Sequence, residues 1–167
     1  MRTIVTLATV LALALVSGNA VAQQKTLKDQ ITGHWIFVSS IDTNKDGTKT
    51  NRFGPNPKGL VMFDPSGRFS FFISRADIPK FAANNINQGT ADENKAVLQG
   101  SIAYYGTWTV DEPTKTLITN VEAATYPNLN GATQKRAITS LTADELKYTN
   151  PATTAGTSSD VIWRRAK

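Results

Sequence analysis

The chain has no cysteine and a single histidine in its 167 residues. Without a thiol there is no disulfide framework, no thiolate metal site and no cysteine nucleophile. One histidine, His34, with no close cluster of carboxylates around it, leaves zinc or redox-metal chemistry without a ligand set, and the expectation is that no metal or cofactor is bound. His34 itself reads as a half-buried strand residue hydrogen-bonded to a neighbour. Charge of one sign is also scarce: 18 basic side chains stand against 13 acidic ones, evenly spread, for a formal charge of +5. A nucleic-acid reader needs a basic stripe interleaved with aromatics, and the nearest feature, Arg164-Arg165-Ala166-Lys167, is a solvated terminal cluster. No nucleic-acid partner is expected.

Long apolar runs are confined to the first residues. Arg2 is followed by an uncharged stretch from Thr3 to Val16 rich in Leu, Val and Ala, and then by Ala20-Val21-Ala22 before Gln23. A basic start, an apolar core too short to span a bilayer comfortably and an Ala-x-Ala site together predict a cleaved signal peptide over residues 1–22. The expected address is therefore export, to a periplasm or to the outside, with no stable membrane anchor after cleavage. Residues 23–167 are enough for one domain with a real core, which an exported protein without disulfides needs.

The remainder is dominated by strand signals. Gly33-His34-Trp35 opens an alternating run to Ile41, apolar on both faces near Trp35-Ile36-Phe37-Val38, which predicts cover on both sides. Its counterpart at the other end is Val161-Ile162-Trp163-Arg164. The first and last strands of a closed antiparallel barrel pair, and Trp35 stacked beneath Arg164 or Arg165 would plug the floor. Gly33, Trp35, Trp108, Trp163 and Arg164 are accordingly the expected closure residues, although the same tryptophans would also serve as ordinary core in a β-sandwich. Asp64-Pro65-Ser66-Gly67 is type I turn chemistry joining Gly59–Phe63 to Arg68–Ser74, with Phe69, Phe71 and Ile73 on one face. Further strands are predicted over 101–110, with Tyr104, Gly106 and Trp108 on one side and Tyr105 on the other, and over 116–124, 133–140, 145–149 and 160–165. Between the third and fourth strands, Thr90-Ala91-Asp92-Glu93 has the form of a capping box and Gly100 that of a helix stop. Residues 76–100 are thus a short helical insertion, long enough to cover a binding mouth. Leu27 and Ile31 fall on one face of a helical turn under the floor. Asp42 to Gly47 resembles the start of a calcium loop, but its twelfth position is Phe53 where a bidentate Glu is required, and it reads as a turn. Eight strands at hairpin spacing predict an all-β, eight-stranded antiparallel up-and-down barrel with room for one ligand.

In this order, Gly33-x-Trp35, the segment Phe53-Gly54-Pro55-Asn56-Pro57-Lys58-Gly59, Pro65-Ser66-Gly67, the run Ile102 to Asp111 and Tyr126-Pro127-Asn128 resemble the lipocalin-like domain proteins of bacteria and fungi, a calycin-type group. The resemblance spans nearly all of the chain after residue 22. It implies a lipocalin-like barrel around a cavity and does not imply a reaction. No Thr-Asp-Tyr motif lies between the middle strands, and the long excursion does not follow the first strand as in the better-known extracellular lipocalins, so retinoid or haem binding does not transfer.

No catalytic residue is identifiable, since neither a paired acid and base nor an activated nucleophile is present. Polar residues that alternation could bring together inside are Arg75, Glu122 and Arg136. A buried Arg must be paired, and its fork suits a carboxylate. The alternative is that these residues form the solvent face, with Leu117, Thr119, Val121 and Ala123 inside. Phe71 and Tyr105 with Tyr126, beside Phe69, could line an apolar wall or simply fill a core. The leading expectation is an exported binding or carrier protein for a small hydrophobic or amphipathic, possibly acidic, molecule. A small-molecule isomerase or cyclase on the same barrel, and a ligand-free interaction module, are the alternatives.

Overall fold

Strict alternation of large apolar and polar side chains produces one antiparallel sheet that rolls up and closes on itself. The computed structural model describes residues 25–167; the signal-peptide reading of residues 1–22 lies outside them. A short helix α1 (Leu27–Ile31) precedes β1 (Gly33–Thr43), β2 (Lys49–Thr50), β3 (Lys58–Phe63) and β4 (Arg68–Ser74). Then follow α2 (Ala91–Gly100), β5 (Ser101–Asp111), β6 (Thr116–Ala124), β7 (Thr133–Leu141), β8 (Glu145–Asn150) and β9 (Ser158–Arg165). Neighbours pair in the order β2-β1-β3-β4-β5-β6-β7-β8-β9, and β1 also pairs with β9. The result is a closed eight-stranded barrel with the two-residue β2 attached at its edge. Because β2 adds one strand to the count, the helical insertion lies after β4 rather than after the third strand in chain order. The capping box at its start is present as expected, Thr90 accepting from the Glu93 amide and Glu93 from that of Thr90.

Closure is built from tryptophans. Trp35, Trp108 and Trp163 are fully buried, and each indole N–H has an acceptor: Ile31 O at 2.7 Å, Asp64 O at 2.9 Å and the Tyr148 hydroxyl at 3.1 Å. That removes the cost of burying a bare donor. The register pairs Trp35 with Arg165, Ile36 with Arg164 and Phe37 with Trp163. Directly opposed residues share a face, so Arg165 stands on the inner side with Trp35 while Arg164 points outward beside the exposed edge of Ile36. The floor cation is therefore Arg165 and not Arg164. Its guanidinium lies 4.0 Å from the centroid of Trp35 and donates to the carbonyls of Thr32, Gln30 and Ala143. Gly33 sits at φ +122°, a backbone conformation that residues with a Cβ rarely adopt, and a Cβ there would also stand 3.1 Å from the Arg165 Nη1. Helix α1 seals this end, its Leu27 and Lys28 amides donating to the Glu112 carboxylate at 3.0 Å each.

The outer face of β1 is not covered: Ile36 and Val38 are exposed among the described residues, against the expectation of cover on both sides. A bulge between Phe37 and Ser39 accounts for the rest of that strand. Before it Trp35 and Phe37 face inward; after it Ser40 and Asp42 do. One extra residue reverses the alternation. A second bulge, between Tyr105 and Gly106, leaves Glu122 without a partner on β5.

Candidate functional site

The floor, the hairpins 64–67 and 111–115 and helix α1 occupy one end of the barrel, so the cavity lies toward the other, where β1 reaches Asp42 and β9 begins at Ser158. Its walls come from inward positions of β1, β4, β5, β7, β8 and β9 and from three connections, through Arg52 and Phe53, Leu129, and Thr153 with Thr154. The cavity has a volume of about 60 Å³. Phe71, Ile73 and Ile102 form its apolar side.

On the polar side stands Arg136, only 4% exposed. Its Nη1 donates to Thr119 Oγ1 at 2.7 Å, and its Nη2 to the Tyr104 hydroxyl at 3.1 Å and to Gln134 Oε1. The guanidinium carbon lies 5.6 Å from the Tyr148 ring. All these partners are neutral. These bonds use three of the five N–H donors of a guanidinium, and the Tyr148 hydroxyl is a further hydrogen-bonding neighbour. No carboxylate lies within ion-pair distance of it, the ion pairs among those residues being Arg68–Glu122, Arg75–Asp77 and Lys147–Glu145. Burial pushes the Tyr104 and Tyr148 phenols up from their ordinary value, and the nearby Arg136 charge opposes this only in part. Both phenols are therefore neutral donors or acceptors across the physiological range, not bases.

Asp42, 3% exposed, lines the same cavity and is its only carboxylate among the described residues. It accepts from Ser40 Oγ at 3.3 Å and Thr157 Oγ1 at 3.2 Å, and Ser40 and Ser159 hydroxyls lie 2.7 Å apart. Sequence alternation could not find Asp42, because the bulge at Val38 turns it inward.

Several expected site residues stand elsewhere. Phe71 and Arg136 line the cavity. Tyr105 is 47% exposed on the outer face, and the inward aromatic is Tyr104, stacked on Phe71 at 4.3 Å. Glu122 faces outward and is held by Arg68, which lowers its pKa. The register opposes Arg136 to Leu117, so the inner face of β6 carries Leu117, Thr119 and Val121 and cannot also carry Glu122. Arg136 is inside together with Leu117, Thr119 and Val121, whereas Ala123, expected to point inward with them, pairs with Tyr105 on the outer face because the bulge at Glu122 reverses the alternation. Arg75, beyond the end of β4, is exposed and bonded to Asp77 through Nε at 2.8 Å. Tyr126 is half-buried against the core margin and is not a cavity wall; its hydroxyl accepts from Asn128 Nδ2 at 3.2 Å. No residue of 75–100 lines the cavity, so the helical insertion does not cover its mouth. His34 is exposed. The turn after β1 is closed by Asp46, which accepts from the Thr48 amide at 2.9 Å.

A sequence model described as the lipocalin-like domain matches residues 32–166. No curated relative matches the chain. Among solved structures, a lipocalin-like protein from Bacteroides uniformis aligns at 12% identity over 82% of this chain and 99% of its own, with a TM-score of 0.45. A redesigned β-barrel, mFAP1, bound to DFHBI aligns at 21% identity over 84% of this chain and 100% of its own, with a TM-score of 0.43. Bovine odorant binding protein, in complex with a selenium-containing odorant, aligns at 16% identity over 86% of this chain and 74% of its own, with a TM-score of 0.41.

Proposed function

The chain belongs to the lipocalin-like domain family, and on that premise we propose that it binds a small molecule in the barrel interior, with an acidic or carbonyl head group on Arg136. The observation that carries this reading is a buried guanidinium whose N–H donors meet only neutral partners, with no carboxylate at ion-pair distance, on the wall of a cavity. Burying a charge without an opposite partner is unfavourable, and a carboxylate presented to those donors would supply one. Phe71, Ile73 and Ile102 would take the apolar body of the ligand. A cavity of about 60 Å³ favours a short acid over a long lipid tail.

Calorimetric titration with propionate and butyrate, against propanol and butanol, tests this. The carboxylates should bind and the alcohols should not. Arg136→Met should weaken the carboxylates by about tenfold or more, since a charged hydrogen bond contributes about 1.5–3 kcal/mol. Equal binding of acids to the variant and to the wild type would remove Arg136 from the site. We place this activity outside the cytoplasm, on the strength of the basic start, the apolar run and Ala20-Val21-Ala22. N-terminal sequencing of the exported protein should begin at Gln23, and a sequence beginning at Met1 would exclude that address.

A further inference from the structure

We propose that the cavity selects a small zwitterion, whose carboxylate meets Arg136 and whose ammonium group meets Asp42. The inference rests on the reading of Arg136 given above and adds a second pole. Two opposite charges, 4% and 3% exposed, line one cavity, and neither has an ion-pair partner among the described residues. Asp42 is only loosely satisfied. Its two hydroxyl donors stand at 3.3 and 3.2 Å, whereas charge-assisted O–H···O⁻ bonds ordinarily close to about 2.5–2.7 Å. A carboxylate offers about four lone-pair sites, so acceptor capacity remains for a stronger donor.

The surroundings fit an ammonium group. Ser40, Ser159 and Thr157 hydroxyls ring Asp42 and can each turn an oxygen lone pair toward a cation, since a hydroxyl both donates and accepts. Arg52, the other cation on the cavity wall, makes no ion pair with Asp42. Its Nη1 donates to Thr154 Oγ1 at 2.8 Å and its guanidinium sits 5.3 Å from the Phe53 ring. The two poles are carried by different strands, Asp42 by β1 and Arg136 by β7, so their separation is fixed by the barrel. A ligand bridging them is recognised by the distance between its charges as well as by their signs.

The test is a ladder of ω-amino acids, β-alanine, γ-aminobutyrate and δ-aminovalerate, titrated calorimetrically beside propionate, butyrate and valerate. At least one zwitterion should bind about tenfold more tightly than its carboxylate, the gain expected of one charged contact, with affinity peaking at one chain length. Asp42→Asn should bring that zwitterion down to the level of the carboxylate without weakening the carboxylate itself, and a thermal midpoint reports whether the variant is folded. If the wild type binds carboxylates through Arg136 but binds zwitterions no better, the second pole is refuted while the anion site stands. If Asp42→Asn lowers both classes equally, Asp42 is structural and the inference fails. If neither class binds, both readings fall. The wild-type comparison decides the matter even if the variant does not fold.

Discussion

The barrel floor offers the sharpest stability test, because the sequence names two adjacent arginines and the fold uses one. Arg165→Met keeps the length of the side chain and removes its charge. The variant loses the stacking on Trp35, centroid distance 4.0 Å, and the bonds to the carbonyls of Thr32, Gln30 and Ala143. Three charged hydrogen bonds would be worth about 1.5–3 kcal/mol each if fully buried. Arg165 is half-buried, however, and water replaces part of what is lost, so a net cost of about 2–4 kcal/mol is expected. Trp35→Phe removes the donor to Ile31 O and part of the ring volume, at about 2 kcal/mol. Trp35→Ala should reach about 3–5 kcal/mol. The double variant Arg165→Met/Trp35→Ala, in which each single change removes the contact, isolates the stacking, for which a coupling of about 0.5–2 kcal/mol is expected. Arg164→Met, on the outer face, should stay within about 0.5 kcal/mol of the wild type. Urea unfolding at constant slope reads all of these from the midpoints. A cost for Arg164→Met equal to that of Arg165→Met, or a coupling under about 0.3 kcal/mol, would refute the closure as described.

Two further outcomes follow from single contacts. At Gly106 a Cβ would stand 1.9 Å from the Asn120 carbonyl oxygen across the bulge, so Gly106→Ala must separate β5 from β6; a loss of about 3 kcal/mol or more in urea unfolding is expected, and a loss below about 1 kcal/mol would contradict the close approach. Burial raises the Tyr104 and Tyr148 phenols above the ordinary 10.0. The unfolded chain therefore gives up those protons first, so their contribution is complete below about pH 10 and declines as pH rises beyond it. Thermal midpoints should fall above about pH 10, less steeply in Tyr104→Phe, and phenolate absorbance should show two of the four tyrosines ionising late; uniform ionisation without unfolding would count against it.

Much of the barrel is legible because local chemistry and global fold agree along it. The alternation of Phe69, Phe71 and Ile73, the Asp64-Pro65-Ser66-Gly67 turn and the Thr90–Glu93 capping box each specify an element without outside help. The site is legible only in part. A single bulged residue hides Asp42, since strict alternation from Trp35 and Phe37 sends it outward. Glu122 and Arg136 look like companions only if β6 and β7 pair even with even, and the pairing of Leu117 with Arg136 opposes odd to even. For Tyr104 the signal was present: it shares a face with Gly106 and Trp108, so a buried Trp108 brings Tyr104 inside and leaves Tyr105 out. The mouth could not be read, because it is formed by connections whose side chains follow no period. Phe53, Leu129 and Thr153 come from three such segments.

The claim that a buried, unpaired Arg136 is an anion site is tested most directly on the guanidinium itself. Its Nε–Hε resonance in a proton–nitrogen correlation spectrum can be followed as butyrate is added, with butanol as the control and with Arg136→Met to assign the signal. A saturable shift of that resonance is expected with butyrate and none with butanol. An Arg136 signal that stays still while exposed arginines drift without saturation would contradict it.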